Sequence, residues 1–372
     1  MKFTCEKYLL QNAVSTASRA AAVKSAVAAL EGLLVEANDS KITISGYDLK
    51  TGITTGFSAD VQENGRIVLN SRLFGDIIRK MPGDIITITV ADNLMTKISS
   101  GVSEFEIMAT PSDDYPELPS VDSTNSMVIN QKTLKSMISQ TCFAVSDNEA
   151  RPIHTGALFE VESETLTMVA VDGYRLALRK EALEEVSEES YSFVVPGSAL
   201  NEVEKILVDS EETATVNLGS KHILFKIGDT TLISRRLEGE FLNYKKSIPM
   251  TGKFDIKADR KTVMTSVERV SLIISDKLKS PVRCKFEDGI LNLLSVTPLG
   301  RASDECTVEG SAEGLEIGFN NKYLLDALKA APADEIIMRL STGVTPCLIL
   351  PADGGDNFLY MVLPVRLKTN EG

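Results

Sequence analysis

The sequence predicts an α+β protein made of three repeated, domain-sized units, each with two helices packed on mostly antiparallel strands. Two patterns carry this prediction. A strand-like run leading through a polar residue into apolar residues at helical spacing occurs three times, and so does a second strand–helix pattern with a small or polar cap. The first pattern begins at Phe3, Val128 and Phe254, and the second at Val68, Val194 and Ile317. Since 125 residues separate Phe3 from Val128, the repeats have the size of domains rather than of solenoid units.

Alternating apolar and polar residues between the two helices of each repeat predict further strands. The matching runs lie at residues 42–47, 166–171 and 291–296, and a turn containing glycine or proline follows each. Two proline-containing segments lead out of the first and second repeats, at residues 115–119 and 241–249, and are called the first and second exits. Their prolines suit rigid connections between domains. We therefore predict domains at residues 1–120, 121–249 and 250–372.

Composition limits the class of protein. Of the 372 residues, 43% are hydrophobic and 24% are charged, which is typical of a folded protein. No apolar run reaches the ~18 residues that a membrane-spanning helix needs, and no signal-peptide core is present, so we expect a cytoplasmic protein. Five scattered cysteines and two histidines argue against a disulfide framework or a zinc site. The net charge of −13 argues against nucleic-acid binding by bulk charge but leaves room for a local basic surface.

The sequence offers no motif for catalysis. It contains neither a P-loop nor a G-x-S-x-G nucleophile elbow. Asp113 and Asp114 adjoin before a Tyr-Pro turn, where carboxylates are usually solvated. We therefore expect no enzyme, and neither a bound metal nor a cofactor. Basic residues recur on the helices of all three repeats, which favours a shared basic surface; a solvated face with paired charges is the alternative.

The run V-D-G-Y-R-L-A at residues 171–177 is similar to the T-D-G-H/Y-R-L-A signature of the bacterial DNA sliding clamps, the β subunits of the replicative DNA polymerase III holoenzyme. E-A-R-P-I at 149–153, I-G-F-N at 317–320, L-P-V-R-L at 363–367 and the D-Y-P-x-L-P pattern within 109–119 also look like that family. The matches follow in order through residues 1–367, so the resemblance covers nearly the whole chain.

The resemblance implies three DNA-clamp domains in a head-to-tail dimeric ring that encircles duplex DNA independently of its sequence. In that family twelve helices line the hole and continuous sheets form the outer surface. A ring holds DNA topologically, so its inner contacts need only be weak and positive. The implied partners are double-stranded DNA, a second copy of the chain, a clamp loader, and DNA polymerases and repair proteins that carry short clamp-binding peptides. No membrane partner is expected.

The family's peptide-binding pocket lies between its second and third domains and takes short peptides with leucine and phenylalanine anchors. Carried over by position, the pocket comprises His154, Val171, Gly173, Tyr174, Arg175, Leu176, Leu242, Lys246, Ser247, Val344, Met361, Val362, Leu363, Pro364, Val365 and Arg366. We expect Arg175 and the backbone at residues 361–364 to fix the polar groups of the peptide. Without the resemblance, the same apolar residues would be assigned to the packing of a domain junction.

The resemblance also implies two further surfaces. The expected DNA-facing residues are Lys24, Arg72, Arg79, Lys132, Asn148, Arg151 and Arg269. The expected dimer interface has Phe105 and Ile107 on one side and Ile273 and Ile274 on the other. Their apolar character suits a stable interface.

The chain departs from the family pattern at a few positions. His154 stands where the family usually has leucine, Lys246 and Ser247 replace more apolar or arginine choices, and residues 368–372 extend past the usual end. Two other functions stay open. One is a clamp paralogue with an altered pocket, such as a resistant duplicate made alongside a clamp-targeting antibiotic. The other is a metal-dependent enzyme acting on nucleic acid, which predicts clustered acidic residues at strand ends.

Overall fold

The computed structural model describes residues 1–249, 251–275 and 280–367. Within these ranges the helices lie where the repeat patterns place them, and one further short helix occurs. The helices are α1 Lys7–Ala17, α2 Ser71–Lys80, α3 Gln131–Ser139, α4 Gly197–Ile206, α5 Tyr244–Ser247, α6 Arg260–Ser271 and α7 Asn321–Ala330. The pairs α1 and α2, α3 and α4, and α6 and α7 are the two helices of the first, second and third repeat.

Strands make up most of the remaining chain. The first repeat contains β1 Lys2–Glu6, β2 Gly32–Asn38, β3 Lys41–Tyr47, β4 Thr51–Ser58, β5 Asp60–Glu63, β6 Gly65–Asn70, β7 Ile85–Val90, β8 Met95–Ser100, β9 Ser103–Met108 and β10 Thr110–Pro111. The second contains β11 Asn125–Asn130, β12 Gly156–Glu162, β13 Thr165–Val171, β14 Arg175–Ala182, β15 Tyr191–Pro196, β16 Thr213–Leu218, β17 His222–Ile227 and β18 Thr230–Arg235. The third contains β19 Phe254–Asp259, β20 Val282–Phe286, β21 Ile290–Thr297, β22 Gly300–Thr307, β23 Leu315–Phe319, β24 Glu335–Leu340, β25 Cys347–Pro351 and β26 Phe358–Val362.

Each repeat contributes two four-stranded antiparallel groups with the same internal order. The strand before the first helix begins one group, which runs β1-β7-β8-β9, β11-β16-β17-β18 or β19-β24-β25-β26. The strand before the second helix begins the other, which runs β6-β2-β3-β4, β15-β12-β13-β14 or β23-β20-β21-β22. β5 and β10 extend the two groups of the first repeat. The predicted α+β fold of three similar domains is therefore confirmed.

Strand pairing also joins successive repeats. β4 pairs antiparallel with β18, with Thr55 opposite Thr230, and the result is one nine-stranded sheet. β14 pairs in the same way with β26, with Arg175 opposite Val362, and the result is one eight-stranded sheet. Within the described residues, β9 lies at one edge of the five-stranded sheet and β22 at one edge of the four-stranded sheet.

The chain groups into two compact units. The first comprises Met1–Lys135 and Asn201–Arg236 and holds the five- and nine-stranded sheets. The second comprises Ser136–Leu200 and Leu237–Gly372 and holds the eight- and four-stranded sheets. The predicted domain boundaries near residues 120 and 250 stay predictions.

Side-chain caps and apolar faces explain where the helices form. Asn70 accepts a hydrogen bond from the Leu73 amide at 3.0 Å, and Asp259 accepts one from Thr262 at 2.7 Å. Such caps satisfy amides that have no partner within the first helical turn. In α1 the buried residues Leu10, Ala13, Val14 and Ala17 follow helical spacing, and they pack into the core of the first unit.

Three details refine the sequence-based expectations. The second exit contains the one-turn helix α5, whereas we predicted only a rigid linker. Asp113 and Asp114 lie exposed in a short 3-10 turn, Ser112–Asp114. Cys5, Cys284, Cys306 and Cys347 are buried, while Cys142 is partly exposed. Burial raises the pKa of the Cys347 thiol to about 12, which keeps it protonated at neutral pH.

No helix within the described residues is long and apolar enough to cross a membrane.

Close packing at Gly46 gives a test of the first unit. A Cβ atom there would lie 2.1 Å from the Ala17 carbonyl oxygen at the end of α1, so Gly46→Ala should destabilise the protein by about 2–3 kcal/mol. The matched control is Gly75→Ala in α2, where the added atom would lie 3.6 Å from Val14 and alanine favours the helix by up to ~1 kcal/mol. Equal midpoints for both variants in thermal or urea unfolding would contradict this packing.

Candidate functional site

An apolar cluster in the second unit brings together three segments that are distant in the sequence. The turn at residues 172–174 lies within the V-D-G-Y-R-L-A signature and is called the signature turn. Val171 and Leu176, on either side of it, pack with Met361 of the last strand. Tyr244 and Ile248 of the second exit belong to the same cluster, and Leu363 packs against its edge. The structure therefore joins the predicted pocket segments at the β14–β26 junction.

The turn between β13 and β14 is held by its own aspartate. Asp172 Oδ1 accepts hydrogen bonds from the amides of Tyr174 at 2.9 Å and Arg175 at 3.1 Å. Gly173 has φ +92°, a left-handed conformation that favours glycine. The Leu363 amide donates to the Tyr174 carbonyl oxygen at 2.9 Å, which fastens the end of the last strand to this turn.

Arg175 is buried rather than exposed to a ligand. Only 8% of its side chain is exposed, and it forms ion pairs with Asp172 at 2.9 Å and Asp326 at 2.6 Å. Its guanidinium carbon lies 4.6 Å from the ring centre of Tyr323 and 5.4 Å from that of Phe143. Both carboxylate partners belong to the chain itself, so Arg175 is held in place by its own protein. The expected contact between this guanidinium and a peptide stays a prediction.

Three exposed apolar side chains lie on or next to the chain segments that form the buried cluster. Tyr174 is 61% exposed and stacks on Tyr323 with ring centres 6.0 Å apart. Leu242 is 43% exposed beside α5, and Val344 is 70% exposed in the turn before β25. Isolated exposed apolar residues are common, but three on the segments that enclose one cluster suit a surface that binds an apolar partner.

The remaining predicted pocket residues fall into two groups. Val362 is fully buried in β26, and Val365 forms a bridge to Gly318, its amide donating to the Gly318 carbonyl oxygen at 2.8 Å. Lys246, Ser247 and Arg366 are exposed, and Pro364 is partly buried. Strand pairing thus fixes the backbone at Val362 and Val365, while Lys246 and Arg366 supply positive charge at the surface. The extension at 368–372 lies outside the described residues.

His154 occupies the edge of the same cluster. Its ring packs edge-on against Phe241 with ring centres 5.5 Å apart, and Phe241 packs on the cluster. Burial and the positive charge of Arg151 lower the pKa of His154 below its ordinary value. The imidazole is therefore more easily kept neutral, as a contact with an apolar partner requires.

The one-turn helix α5 is anchored to the central repeat by a polar group of contacts. The Tyr244 hydroxyl donates to Glu160, and Lys245 forms ion pairs with Glu160 at 3.6 Å and Glu162 at 3.3 Å. These contacts fix the segment that carries Leu242, Lys246 and Ser247. Sequence analysis identified the segment but not the helix or its anchor, because the partners lie more than 80 residues away.

In the first unit, part of the predicted DNA-facing set lies around one groove. The groove, about 740 Å³ in volume, runs between α1 and α2, and Arg72 and Arg79 line it with Ser15 and Ser18. Exposed Lys24 follows Val23, which also lines the groove. Arg79 pairs with Asp76 on the same helix.

The other predicted DNA-facing residues are exposed, and two of them carry acidic partners. In the first unit, Lys132 lies 3.9 Å from Glu211. In the second, Arg269 lies 2.5 Å from Asp304, and Asn148 and Arg151 lie in an exposed loop. Exposed ion pairs contribute little to stability and exchange readily with other charges.

The predicted interface residues lie on β9 and just after α6. In the first unit, Phe105 of β9 is 42% exposed, whereas Ile107 packs partly on the core. In the second, Ile273 and Ile274 follow α6 and are partly buried. The neighbouring Met108 and Leu272 are more exposed, at 61% and 85%.

Among the described residues, no group of three or more histidine, cysteine or acidic side chains is arranged to hold a metal ion.

Comparison with known families covers almost the whole chain. Residues 1–119, 128–243 and 245–366 match the models of the N-terminal, central and C-terminal domains of the DNA polymerase III beta subunit. The beta sliding clamp of Staphylococcus aureus is 32% identical over 378 residues, which cover 98% of this chain and 99% of the relative.

Solved structures show the same architecture. The DNA polymerase sliding clamp of Bacillus subtilis aligns with a TM-score of 0.94 at 31% identity, covering 99% of this chain and all of that one. A Pseudomonas aeruginosa sliding clamp bound to griselimycin also aligns with a TM-score of 0.94, at 27% identity and with the same coverage. The resemblance inferred from the sequence motifs is thereby confirmed.

Proposed function

The chain belongs to the family of bacterial DNA polymerase III beta subunits, the sliding clamps, and we propose that it is a processivity factor. Two copies form a head-to-tail ring around duplex DNA, and the ring tethers polymerases and repair proteins through the cleft at the β14–β26 junction. A sliding clamp is not an enzyme. The observation that carries the proposal is the strand pairing between successive domains, because the same type of pairing between two copies would close a ring.

Within the described chain, β9 and β22 lack the pairing between repeats that β4, β18, β14 and β26 have. The fourth strand of one group pairs with the fourth strand of the following repeat, as β4 does with β18 and β14 with β26. By the same rule β22 would pair with β9, and each of these strands lies at an edge of its sheet in the described chain. Such edges expose unsatisfied backbone groups. Pairing β22 of one copy with β9 of another closes a ring of two chains if each spans half a turn.

The dimer prediction concerns mass and the β9 edge. Light scattering should give about twice the 40.4 kDa of one chain. Phe105→Arg should raise the dimer dissociation constant on the order of 30-fold, because it places a charge in an apolar contact. The control is Val186→Arg, which changes a valine that is 65% exposed on the loop between β14 and β15. A wild-type mass that stays monomeric at high concentration would sink the ring proposal.

A closed ring reconciles the acidic net charge with DNA binding. Topology retains the DNA, so the basic residues need to provide only weak phosphate contacts that permit sliding. The groove with Arg72 and Arg79, together with the neighbouring Lys24, suits such contacts in the first unit.

DNA retention should depend on DNA topology. The loaded protein should stay on circular duplex and leave once the circle is cut to a linear form. Lys24→Glu with Arg79→Glu should slow loading roughly tenfold while leaving the dimer mass unchanged, since charge steers association. Lys226→Glu, an exposed lysine on β17, is the control and should load normally. Retention on cut DNA would rule out topological holding.

We propose that the second unit binds short peptides of the Q-L-x-L-F type. The peptide would contact the buried apolar cluster and a rim of exposed residues, Tyr174, Leu242 and Val344. Leu176 and Met361 belong to the buried cluster and would form the apolar floor, and the exposed Leu242 and Val344 would form the sides. The backbone at residues 361–364 supplies polar contacts at the edge. Leucine and phenylalanine anchors suit such a surface because affinity concentrates in a few buried side chains.

A labelled Q-L-x-L-F peptide should bind in the micromolar range, roughly −8 kcal/mol. Cutting either anchor to alanine should cost on the order of 2 kcal/mol. Since Met361 and Val362 belong to a buried strand, exposed side chains give the cleaner test: Leu242→Ala and Val344→Ala should each weaken binding about fivefold. Val186→Ala is the matched control, and equal weakening by all three substitutions would place the site elsewhere.

The same titration tests His154. Protonation would place a positive charge against the apolar rim, so affinity should fall as pH drops below the ordinary histidine pKa of ~6.5. The lowered pKa of His154 places this loss at the acidic side of that value. His154→Leu should bind more tightly and show a flatter pH profile; an unchanged profile would show that His154 does not contact the peptide.

A further inference from the structure

Two carboxylates from different elements hold the guanidinium of Arg175. Asp172 belongs to the turn before β14, whereas Asp326 lies on α7, 151 positions after Arg175 in the sequence. The side chains of Arg175 and Asp172 are 8% and 12% exposed, and that of Asp326 is 27% exposed. A buried cation of this kind needs its partners, because each lost partner leaves charge without compensation.

Arg175 connects this charge cluster to the backbone of the proposed cleft. It begins β14 and lies opposite Val362 in the pairing with β26. The preceding residue, Tyr174, accepts the hydrogen bond from the Leu363 amide. A shift of the guanidinium would therefore move both the signature turn and the end of the last strand.

Asp326 itself belongs to a different surface. It lines a groove of about 490 Å³ with Ser139, Gln140 and Lys329, near the ends of α3 and α7. Its carboxylate accepts a hydrogen bond from Arg175 Nη1 at 2.6 Å. We therefore expect an effect of Asp326 on peptide binding to act through Arg175.

We propose that Asp326 is a positioning residue for peptide recognition: it holds Arg175, and through Arg175 the turn at residues 172–174, in the conformation that presents the cleft. This inference rests on the proposed peptide-binding function. It predicts that peptide affinity depends on a carboxylate that the peptide does not touch. It also predicts that this dependence disappears once Arg175 is replaced, because the two residues act as one unit.

The test uses the full chain and a labelled Q-L-x-L-F peptide. Asp326→Asn should weaken binding roughly tenfold, because coupled charged pairs show interaction effects of this size. Asp334→Asn is the matched control, since it makes the same change just after α7 at a 74% exposed carboxylate that pairs with Arg260 and Lys261. The control should bind within about twofold of the wild type.

A double-mutant cycle separates positioning from general destabilisation. In an Arg175→Gln background, Asp326→Asn should change affinity by less than about twofold. Fully additive losses would overturn the positioning role. If Asp326→Asn fails to unfold cooperatively, Asp326→Glu replaces it; this variant keeps the charge, displaces the carboxylate by one methylene, and should weaken binding about threefold.

The outcomes distinguish this inference from the function on which it rests. A wild type that binds the peptide while Asp326→Asn binds equally well overturns the positioning role alone. A wild type that does not bind overturns both the peptide cleft and the positioning role. Tenfold weakening that is lost in the Arg175→Gln background supports the positioning role.

Discussion

Backbone hydrogen bonding between repeats is the constraint on which the rest of this structure depends. A strand at a sheet edge has amide and carbonyl groups that need partners, and β4 and β14 find theirs in β18 and β26. These pairings extend each sheet across two repeats. They also fix the registers, so that Arg175 lies opposite Val362 and the signature turn meets the end of the last strand.

The β4–β18 and β14–β26 junctions have the same type of strand pairing, but the apolar side chains beside them differ in exposure. At the first, Tyr115 and Leu118 of the first exit pack with Leu30, Tyr47 and Val68, and Leu118 reaches within 2.8 Å of a Cβ built on Gly52. At the second, Tyr244 takes the place of Tyr115 in the exit and is buried to the same 4% exposure, but Leu242 remains 43% exposed. The first exit thus covers its own apolar cluster, whereas the second leaves a rim that another molecule can complete. This difference supports placing the proposed peptide cleft at the second junction rather than at the first.

Much of this was predictable from the sequence, for reasons that differ by level. The helices and main strands follow from local periodicity and caps, so the three openings at Phe3, Val128 and Phe254 predict β1–α1, β11–α3 and β19–α6 correctly. Periodicity says nothing about partners 151 positions apart, so it could not reveal the pair between Arg175 and Asp326. The role of Arg175 in peptide binding came from the family resemblance, which carries over positions but does not show the side-chain partners in this chain. The helix α5 was missed because four residues are too few to show a period.

The charges of the predicted DNA-facing residues bear on sliding. Arg79 carries a partner in Asp76, Lys132 in Glu211 and Arg269 in Asp304. In the proposed ring, each cation would exchange an existing weak ion pair for a phosphate contact, so the net gain per contact would be smaller than for an unpaired arginine. A small gain at each step would keep the barrier between neighbouring positions on DNA low. The proposal combines strong retention with easy movement because retention would come from ring closure, in which another copy would pair with the edges of β9 and β22.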